Sequence, residues 1–370
     1  MKKNIVLLPG DGIGPEVVRQ AVKVINAIND VFKNEFSCTT ELIGAVSIDA
    51  NGSPITGEVI QKCAKSDAII LGAIGDPKYD NDPTLKVRPE QGLLALRKSL
   101  SLYANIRPIG TYDISKTSSP LKEEVLKEVD IVIFRELTGG LYFGEKSISE
   151  DGKTANDSCT YTQQEIERIA KLAFEMAMTR NKKMTLVDKA NVLETSRLWR
   201  KIVQRMSSDF PEVKVGYMFV DNAAMQLMIN PRQFDVILTE NLFGDILSDL
   251  ASVITGSLGM LPSSSIGVNT AMFEPIHGSY PEAAGKDIAN PFATILSVAM
   301  MYEYFNLNKE AELIRDAINW ALLENLVTQD LNPNEHLSCS KVGDLICLFI
   351  EEHVDIKLNR SNMEYAFSII

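Results

Sequence analysis

The sequence predicts an α/β fold around a largely parallel central sheet. Short apolar runs recur along the chain, they are continuous rather than alternating, and helix-period segments stand between them. Strands covered by helices on both faces carry this signature, because neither face needs polar residues for water. Ile5-Val6-Leu7-Leu8 is the first such strand, and the next segment places Val17, Val18, Ala21, Val24, Ile25 and Ile28 on one helical side. Ala68-Ile69-Ile70-Leu71, Ile131-Val132-Ile133-Phe134, Met184-Thr185-Leu186-Val187 and Val236-Ile237-Leu238 read as further buried strands. No internal repeat or low-complexity block interrupts them.

Two segments depart from this alternation. Gly10-Asp11-Gly12-Ile13-Gly14-Pro15-Glu16 follows the first strand and opens a helix, but the dinucleotide fingerprint G-x-G-x-x-G needs glycine where Pro15 stands. Pro15 suits a first helical position, so the segment reads as a structural turn. A phosphate-cradling G-x-x-x-x-G-K-[ST] loop is absent from the sequence. From Leu141 to Tyr161 the chain is rich in Gly, Ser and Asp with scattered aromatic residues, as in a long hairpin or projecting arm. An arm of this kind cannot bury both faces alone, which points to a partner subunit.

Composition narrows the function. The 370 residues include 45% hydrophobic and 23% charged residues, enough for one large or two ordinary domains. A net charge of −12 excludes nucleic acid as the main partner and requires a local cluster of cations for any anionic substrate. Cys38, Cys63, Cys159, Cys339 and Cys347 are odd in number, widely spaced and without a C-x-x-C pair, which indicates free thiols in a reducing cytoplasm. The N-terminus is too short for a signal peptide, and the longest apolar stretch, near Ala293 to Met301, is too short for a membrane span.

Chemistry concentrates in a few blocks. Asp245 and Asp249 stand four residues apart in a segment of helical period and so share a helix face. Stacked carboxylates repel unless a cation lies between them, and a hard divalent ion suits oxygen ligands. A lone D-x-x-x-D is more often a solvated acidic face. Arg97, Arg107 and Arg135 occupy distinctive settings, Arg135 at the end of an apolar strand. Guanidinium forks match carboxylates in bidentate geometry, so three of them suit a di- or tricarboxylate, whereas a lone arginine is more often structural. Arg88 and Arg168 read as surface residues.

Taken in order, GDGIGPE, PEQGLLALRK, YANIRP, RELTGGLYFG, DKANVLE, FVDNAAM, TENLFGDILSD and EPIHGSYPEAAGKDIANP resemble the isocitrate and isopropylmalate dehydrogenases, from Gly10 to about Asn290 with a weaker helical continuation to about His353. The resemblance implies a two-domain isopropylmalate dehydrogenase-like fold, not Rossmann, with a protruding dimerisation arm at about 141–161. A discontinuous cofactor domain would comprise 1–102 and 256–370, and a substrate, metal and dimerisation domain 103–255. It further implies a homodimer with shared active sites, NAD, and Mg²⁺ or Mn²⁺ on Asp245, Asp249 and Asp221 of the partner subunit, a residue that would also touch substrate. Arg97, Arg107 and Arg135 would hold the substrate carboxylates. Lys189 of the partner subunit would be the base and Tyr142 the acid that protonates the enol. A lysine at its free pKa is a poor base near neutrality, and crowding by cations would lower it.

Substrate and cofactor choice rest on two further blocks. Glu90, Leu93 and Leu94 precede Arg97, and in the isopropylmalate branch this pattern faces the substrate's side group. Burying an unpaired third carboxylate against two leucines costs several kcal/mol, whereas burying an isopropyl group gains about 2 kcal/mol. The expected substrate is therefore 3-isopropylmalate, with isocitrate, homoisocitrate, tartrate and malate as sister alternatives and a noncatalytic subunit as another. Glu274, His277, Gly278, Ser279, Glu282, Ala283 and Asn290 match the family's adenosine-binding loop. Glu282 with Ala283 offers a negative charge and no cation, which favours NAD over its 2′-phosphorylated form. Glu282 in place of aspartate, Tyr280 in place of a small residue and Asp76 in place of glycine depart from the family pattern. The tail from Val354 to Ile370 lies outside the resemblance.

Overall fold

A computed structural model describes residues 1–81, 85–112 and 118–367, with the backbone alone for Asp80 and 354–367. Its strands are β1 (Lys2–Gly10), β2 (Glu35–Thr40), β3 (Ala68–Ala73), β4 (Ala104–Gly110), β5 (Asp130–Glu136), β6 (Lys146–Ile148), β7 (Ala155–Asp157), β8 (Lys183–Asp188), β9 (Lys214–Phe219), β10 (Val236–Thr239), β11 (Pro262–Ile266) and β12 (Ala271–Pro275). Ten of them form one sheet in the order β2-β1-β3-β12-β11-β4-β5-β10-β8-β9. Pairing is parallel at both ends of the sheet and antiparallel only across β12-β11-β4-β5. The expected largely parallel sheet is thus present, but its two parallel halves run in opposite directions and meet through a short antiparallel zone.

Helices cover both faces, as the continuous apolar runs require. Gly14–Phe32, Phe292–Tyr304, Asn308–Leu323 and the start of Cys339–Phe367 bury one core against β1 and β3, and Gly57–Lys65 and Glu90–Ser99 bury another on the opposite face. Around the second half, Gln163–Thr179 and Glu194–Met206 pack one side, and Val220–Ile229 and Asn241–Thr255 the other. The fully buried residues of the first two cores come from the two ends of the chain, and those of the last two from its middle. Gln163–Thr179 begins with a capping box between Thr162 and Glu165, which satisfies two otherwise orphaned N–H groups.

Between Leu141 and Tyr161 the chain forms the expected hairpin, β6 paired with β7, with every residue of both strands exposed. No helix among the described residues is long and apolar enough to cross a membrane. All five cysteines are free.

The turn after β1 is a structural knot. The buried Asp11 carboxylate accepts from the backbone N–H groups of Ala45, Val46 and Gly75 at 2.9–3.0 Å. Gly12 adopts φ +57°, and a side chain there would run into the Ser279 carbonyl. Ile13 in turn donates its N–H to that carbonyl at 2.8 Å, so the turn ties β1 to the loop after β12. Removing a buried carboxylate that satisfies three donors strands all three. Asp11→Ala is therefore expected to destabilise the protein by about 3 kcal/mol, read from its urea midpoint, and an unchanged midpoint would contradict this role.

Candidate active site

The three arginines singled out above converge, and each is buried. Arg97 lies on the helix Glu90–Ser99 and pairs with Glu274 of β12 at 3.0 Å, both side chains less than a tenth exposed. Arg107 of β4 donates Nε to Asn105 Oδ1 at 2.5 Å and bonds the Ser248 hydroxyl. Arg135 of β5 is forked onto Asn241 Oδ1 at 2.9 and 3.1 Å and reaches Asp245 through its remaining nitrogen. Gly244 permits this approach, since a Cβ there would lie 2.6 Å from Arg135 Cγ.

Asp245 and Asp249 do share one face of the helix Asn241–Thr255, and Arg107 lies between them, 3.7 Å from Asp245 and 3.4 Å from Asp249. The Tyr142 hydroxyl donates to Asp245 Oδ2 at 2.7 Å, with the Arg135 guanidinium 5.6 Å from the centre of its ring. Burial pushes the Asp245 carboxyl up, but Arg135, Arg107 and the tyrosine outweigh it and hold it below the ordinary carboxylate range. Asp249 rises instead, because burial exceeds the pull of Arg107. Burial and the bond to Asp245 raise the Tyr142 phenol, which keeps it a proton donor.

Lys189 and Asp221 form an ion pair with each other, from the end of β8 to the first turn of Val220–Ile229. That pair holds Asp221 below its ordinary value. Neither residue makes a hydrogen bond or ion pair with Asp245 or Asp249. Among the described residues no group of three or more acidic, histidine or cysteine side chains of one chain is placed to hold a metal ion. Met225, Ile229 and Ile246, on the helices that carry Asp221 and Asp245, are exposed at 56%, 64% and 55%.

The nucleotide-loop residues divide into two groups. His277, Gly278 and Asn290 line a cleft of about 530 Å³ together with Ile13, Leu258 and Asp330. Asn290 donates to Asp330 at 2.9 Å, and His277 Nε2 is buried without a partner. Burial also lowers the His277 imidazole below its ordinary value, so the ring is neutral near pH 7. Ser279 and Ala283 are buried in the loop itself, and Glu282 is exposed beside Tyr280, which lines the cleft. Glu274 does not line this cleft and is engaged instead in the Arg97 pair. Asp76 caps the short helix Pro77–Asp80 through Lys78 N–H at 3.0 Å.

Leu93 packs against the core beneath the helix, while Leu94 is half-buried and Glu90 is exposed. Arg168 corrects the surface reading. It stacks 4.7 Å from the centre of the Tyr103 ring and pairs with fully buried Glu136, whose charge demands a cation. Sequence reasoning missed Asn105, Asn241, Ser248 and the serines of β11. None carries a charge or a motif of its own, and Asn241 was visible only as a neighbour of the paired aspartates.

Arg97 Nε is buried and unpartnered, so the guanidinium array retains an unused donor that suits an anion. Asp245 and Asp249 offer hard oxygen donors for a divalent cation, and unpartnered His277 Nε2 suits a nucleotide in the cleft.

The depressed Asp245 contributes stability that is present above the unfolded carboxylate value, about 3.9, and is lost as the pH falls through its lower folded value. Without divalent metal, the urea midpoint of the wild type should exceed that of Asp245→Asn by more near pH 6 than near pH 3 (both about two units or less from the unfolded value). An equal gap at both would contradict the ion pairing.

A family model described as isocitrate/isopropylmalate dehydrogenase matches residues 4–346. A 3-isopropylmalate dehydrogenase of Bacteroides fragilis is 50% identical over 354 residues, covering 95% of this chain and 100% of the relative. One from Halalkalibacterium halodurans is 51% identical over 363 residues, covering 96% and 100%. Among solved structures, an isocitrate dehydrogenase from Methylococcus capsulatus superposes with a TM-score of 0.85 at 33% identity, covering 95% of this chain and 100% of that one.

Proposed function

The chain belongs to the isocitrate/isopropylmalate dehydrogenase family, and from that premise we propose that it oxidises and decarboxylates 3-isopropylmalate with NAD, in cytoplasmic leucine biosynthesis. The single observation that carries this reading is the buried array of Arg97, Arg107 and Arg135 around Asp245 and Asp249. The relatives called 3-isopropylmalate dehydrogenase, at about half identity over nearly the whole chain, support the choice of substrate over isocitrate. Half-buried Leu94 supports it too, as an apolar contact for a branched side group.

Charge bookkeeping favours joint binding of metal and substrate. Three guanidiniums face three carboxylates, Asp245, Asp249 and Glu274, so the chain's own array is near neutral. A divalent cation and a dicarboxylate together add no net charge, whereas either alone leaves the buried array unbalanced. Asp245 and Asp249, with Asp221 of the partner subunit, would hold Mg²⁺ or Mn²⁺. Exposed Met225, Ile229 and Ile246 give the homodimer an apolar face, and the β6–β7 hairpin gives it an arm. The segregated cores support two domains, 1–102 with 256–370 for cofactor and 103–255 for substrate.

When bound, the cation would supply Lewis acidity toward the hydroxyl and carboxylate oxygens, and NAD would supply the acceptor for the hydride that leaves substrate C2. The remaining work belongs to the side chains. Arg97, Arg107 and Arg135 seat the two carboxylates, including the one that leaves as CO₂. Lys189 of the partner subunit takes the hydroxyl proton. Tyr142, a raised phenol beside the array, returns a proton to the carbon that CO₂ vacates. Glu282 and the neutral His277 hold the nucleotide.

NADH formation is expected with 3-isopropylmalate, not with isocitrate, and is expected to cease on chelation by EDTA. Turnover of isocitrate with the phosphorylated cofactor would refute the specificity. Lys189→Ala and Tyr142→Phe should each lower kcat by about a hundredfold or more with little change in substrate binding. If sites are shared across the dimer, co-refolded Lys189→Ala and Asp245→Asn chains should regain roughly a quarter of wild-type activity, from the one intact site of each mixed dimer. No regain would exclude sharing.

A further inference from the structure

At the carboxyl edge of the second half-sheet, three carboxylates stand on adjacent strands. Thr239 of β10 is in register with Arg135 of β5 and Val187 of β8, so the next residues, Glu240, Glu136 and Asp188, lie side by side. All three are buried, at 6%, 0% and 2% exposure. The outer two are compensated. Glu136 accepts from the N–H groups of Thr138 and Gly139 at 2.9 and 2.7 Å and faces Arg168. Asp188 accepts both arms of Arg200, at 2.9 and 2.8 Å, and the Ala190 N–H at 3.0 Å. Glu240, between them, has no cation among the described residues, and its Oε2 is buried without a partner there.

Besides these acids, Glu240 faces Cys159 and Tyr161 at the base of the hairpin. The only positive influence on its own element is the N-terminus of Asn241–Thr255, which it precedes. Burial, then Glu136 and Asp188, push its carboxyl up to about 7. Glu240 is also the joint of the site. Its neighbour Asn241 donates its N–H to the Tyr161 hydroxyl at 2.9 Å and holds the Arg135 fork.

We propose that Glu240 is a positioning residue that works in its protonated form: the neutral carboxyl seats the head of the Asn241–Thr255 helix between two compensated acids, and ionisation unseats Asn241 and with it Arg135. The proposal is independent of which hydroxy acid is turned over, and only its kinetic consequence rests on the function proposed above.

Because the folded value is raised above an unfolded value of about 4.3, this stabilisation is complete below the unfolded value and is lost as the pH rises through about 7. Glu240→Gln, which keeps the shape and cannot ionise, should match the wild type in Tm near pH 4 and exceed it near pH 8 by about 2–4 °C. In glutamate-labelled wild-type protein, infrared or carbon NMR spectra should show a carboxyl titrating near neutrality, absent from the Gln variant. With 3-isopropylmalate, KM should rise with pH in the wild type and stay flat in Glu240→Gln, at similar kcat. A Gln variant less stable than wild type at high pH, or a neutral carboxyl signal that persists in it (which would place the proton on Glu136), overturns the proposal. Should the Gln variant fail to fold, a wild-type spectrum without any glutamate carboxyl titrating near neutrality overturns it alone. Spectra and Tm need no turnover, so failure of the substrate assignment leaves them readable.

Discussion

Three guanidinium groups are buried here beside three carboxylates, and the rest of the molecule is arranged to keep them charged and aimed. Arginine does not give up its proton, so each buried one must be met by oxygen. The oxygens come from the scaffold and the paired acids: Glu274 for Arg97, Asn105, Ser248, Asp245 and Asp249 for Arg107, Asn241 and Asp245 for Arg135. Neutral amides and a hydroxyl carry much of this load. They fix direction without adding charge, so the array stays near neutral until a cation and an anion enter it together. Carboxylates in place of these neutral groups would have made the array net negative and repelled an anion.

This arrangement explains the polar centre of the sheet. β11, Pro-Ser-Ser-Ser-Ile, lies in the middle of a ten-stranded sheet yet buries three serines. Asn105 Nδ2 reaches Ser263 and Ser265 at 3.3 and 3.2 Å, and Ser265 reaches Glu274 at 3.0 Å. A chain of hydrogen bonds therefore runs Arg97, Glu274, Ser265, Asn105, Arg107 across the zone where the two half-sheets reverse direction. Two of the anion-binding groups belong to opposite halves of the sheet, and this seam sets their relative position. Each bond is worth only about 1 kcal/mol, but an interrupted chain would leave a buried charge facing an orphaned acceptor.

The parallel halves were legible because their strands are apolar on both faces, as in Ile131 to Phe134. The antiparallel zone was not. β4, β11 and β12 carry Asn, Arg, Ser and Glu that look like loop residues until their partners are known. Likewise Arg97, Arg107, Arg135, Asp245 and Asp249 stood out as charges in distinctive blocks, and the structure gathers them. Asn241, Ser248 and Asn105 did not stand out, since an uncharged polar residue declares its role only through its neighbours. Arg168 was misread for the same reason: its partner Glu136 is 32 positions away and invisible to local patterning. Lys189 and Asp221 were legible as family positions, yet within one chain they only pair with each other.

One topological feature bears on how the protein is made. β3 has β1 on one side and β12 on the other, and about 200 residues separate Ile69 from its partner Met272. At about 5–20 residues per second, a ribosome needs roughly 10–40 s to deliver that partner. Throughout this interval β3 presents an open, apolar edge, while of the strands in the middle of the chain only β4 waits for a neighbour from beyond that stretch, β11. The nascent N-terminal segment is therefore the part exposed to wrong strand pairing, and the part for which a holding chaperone would matter most.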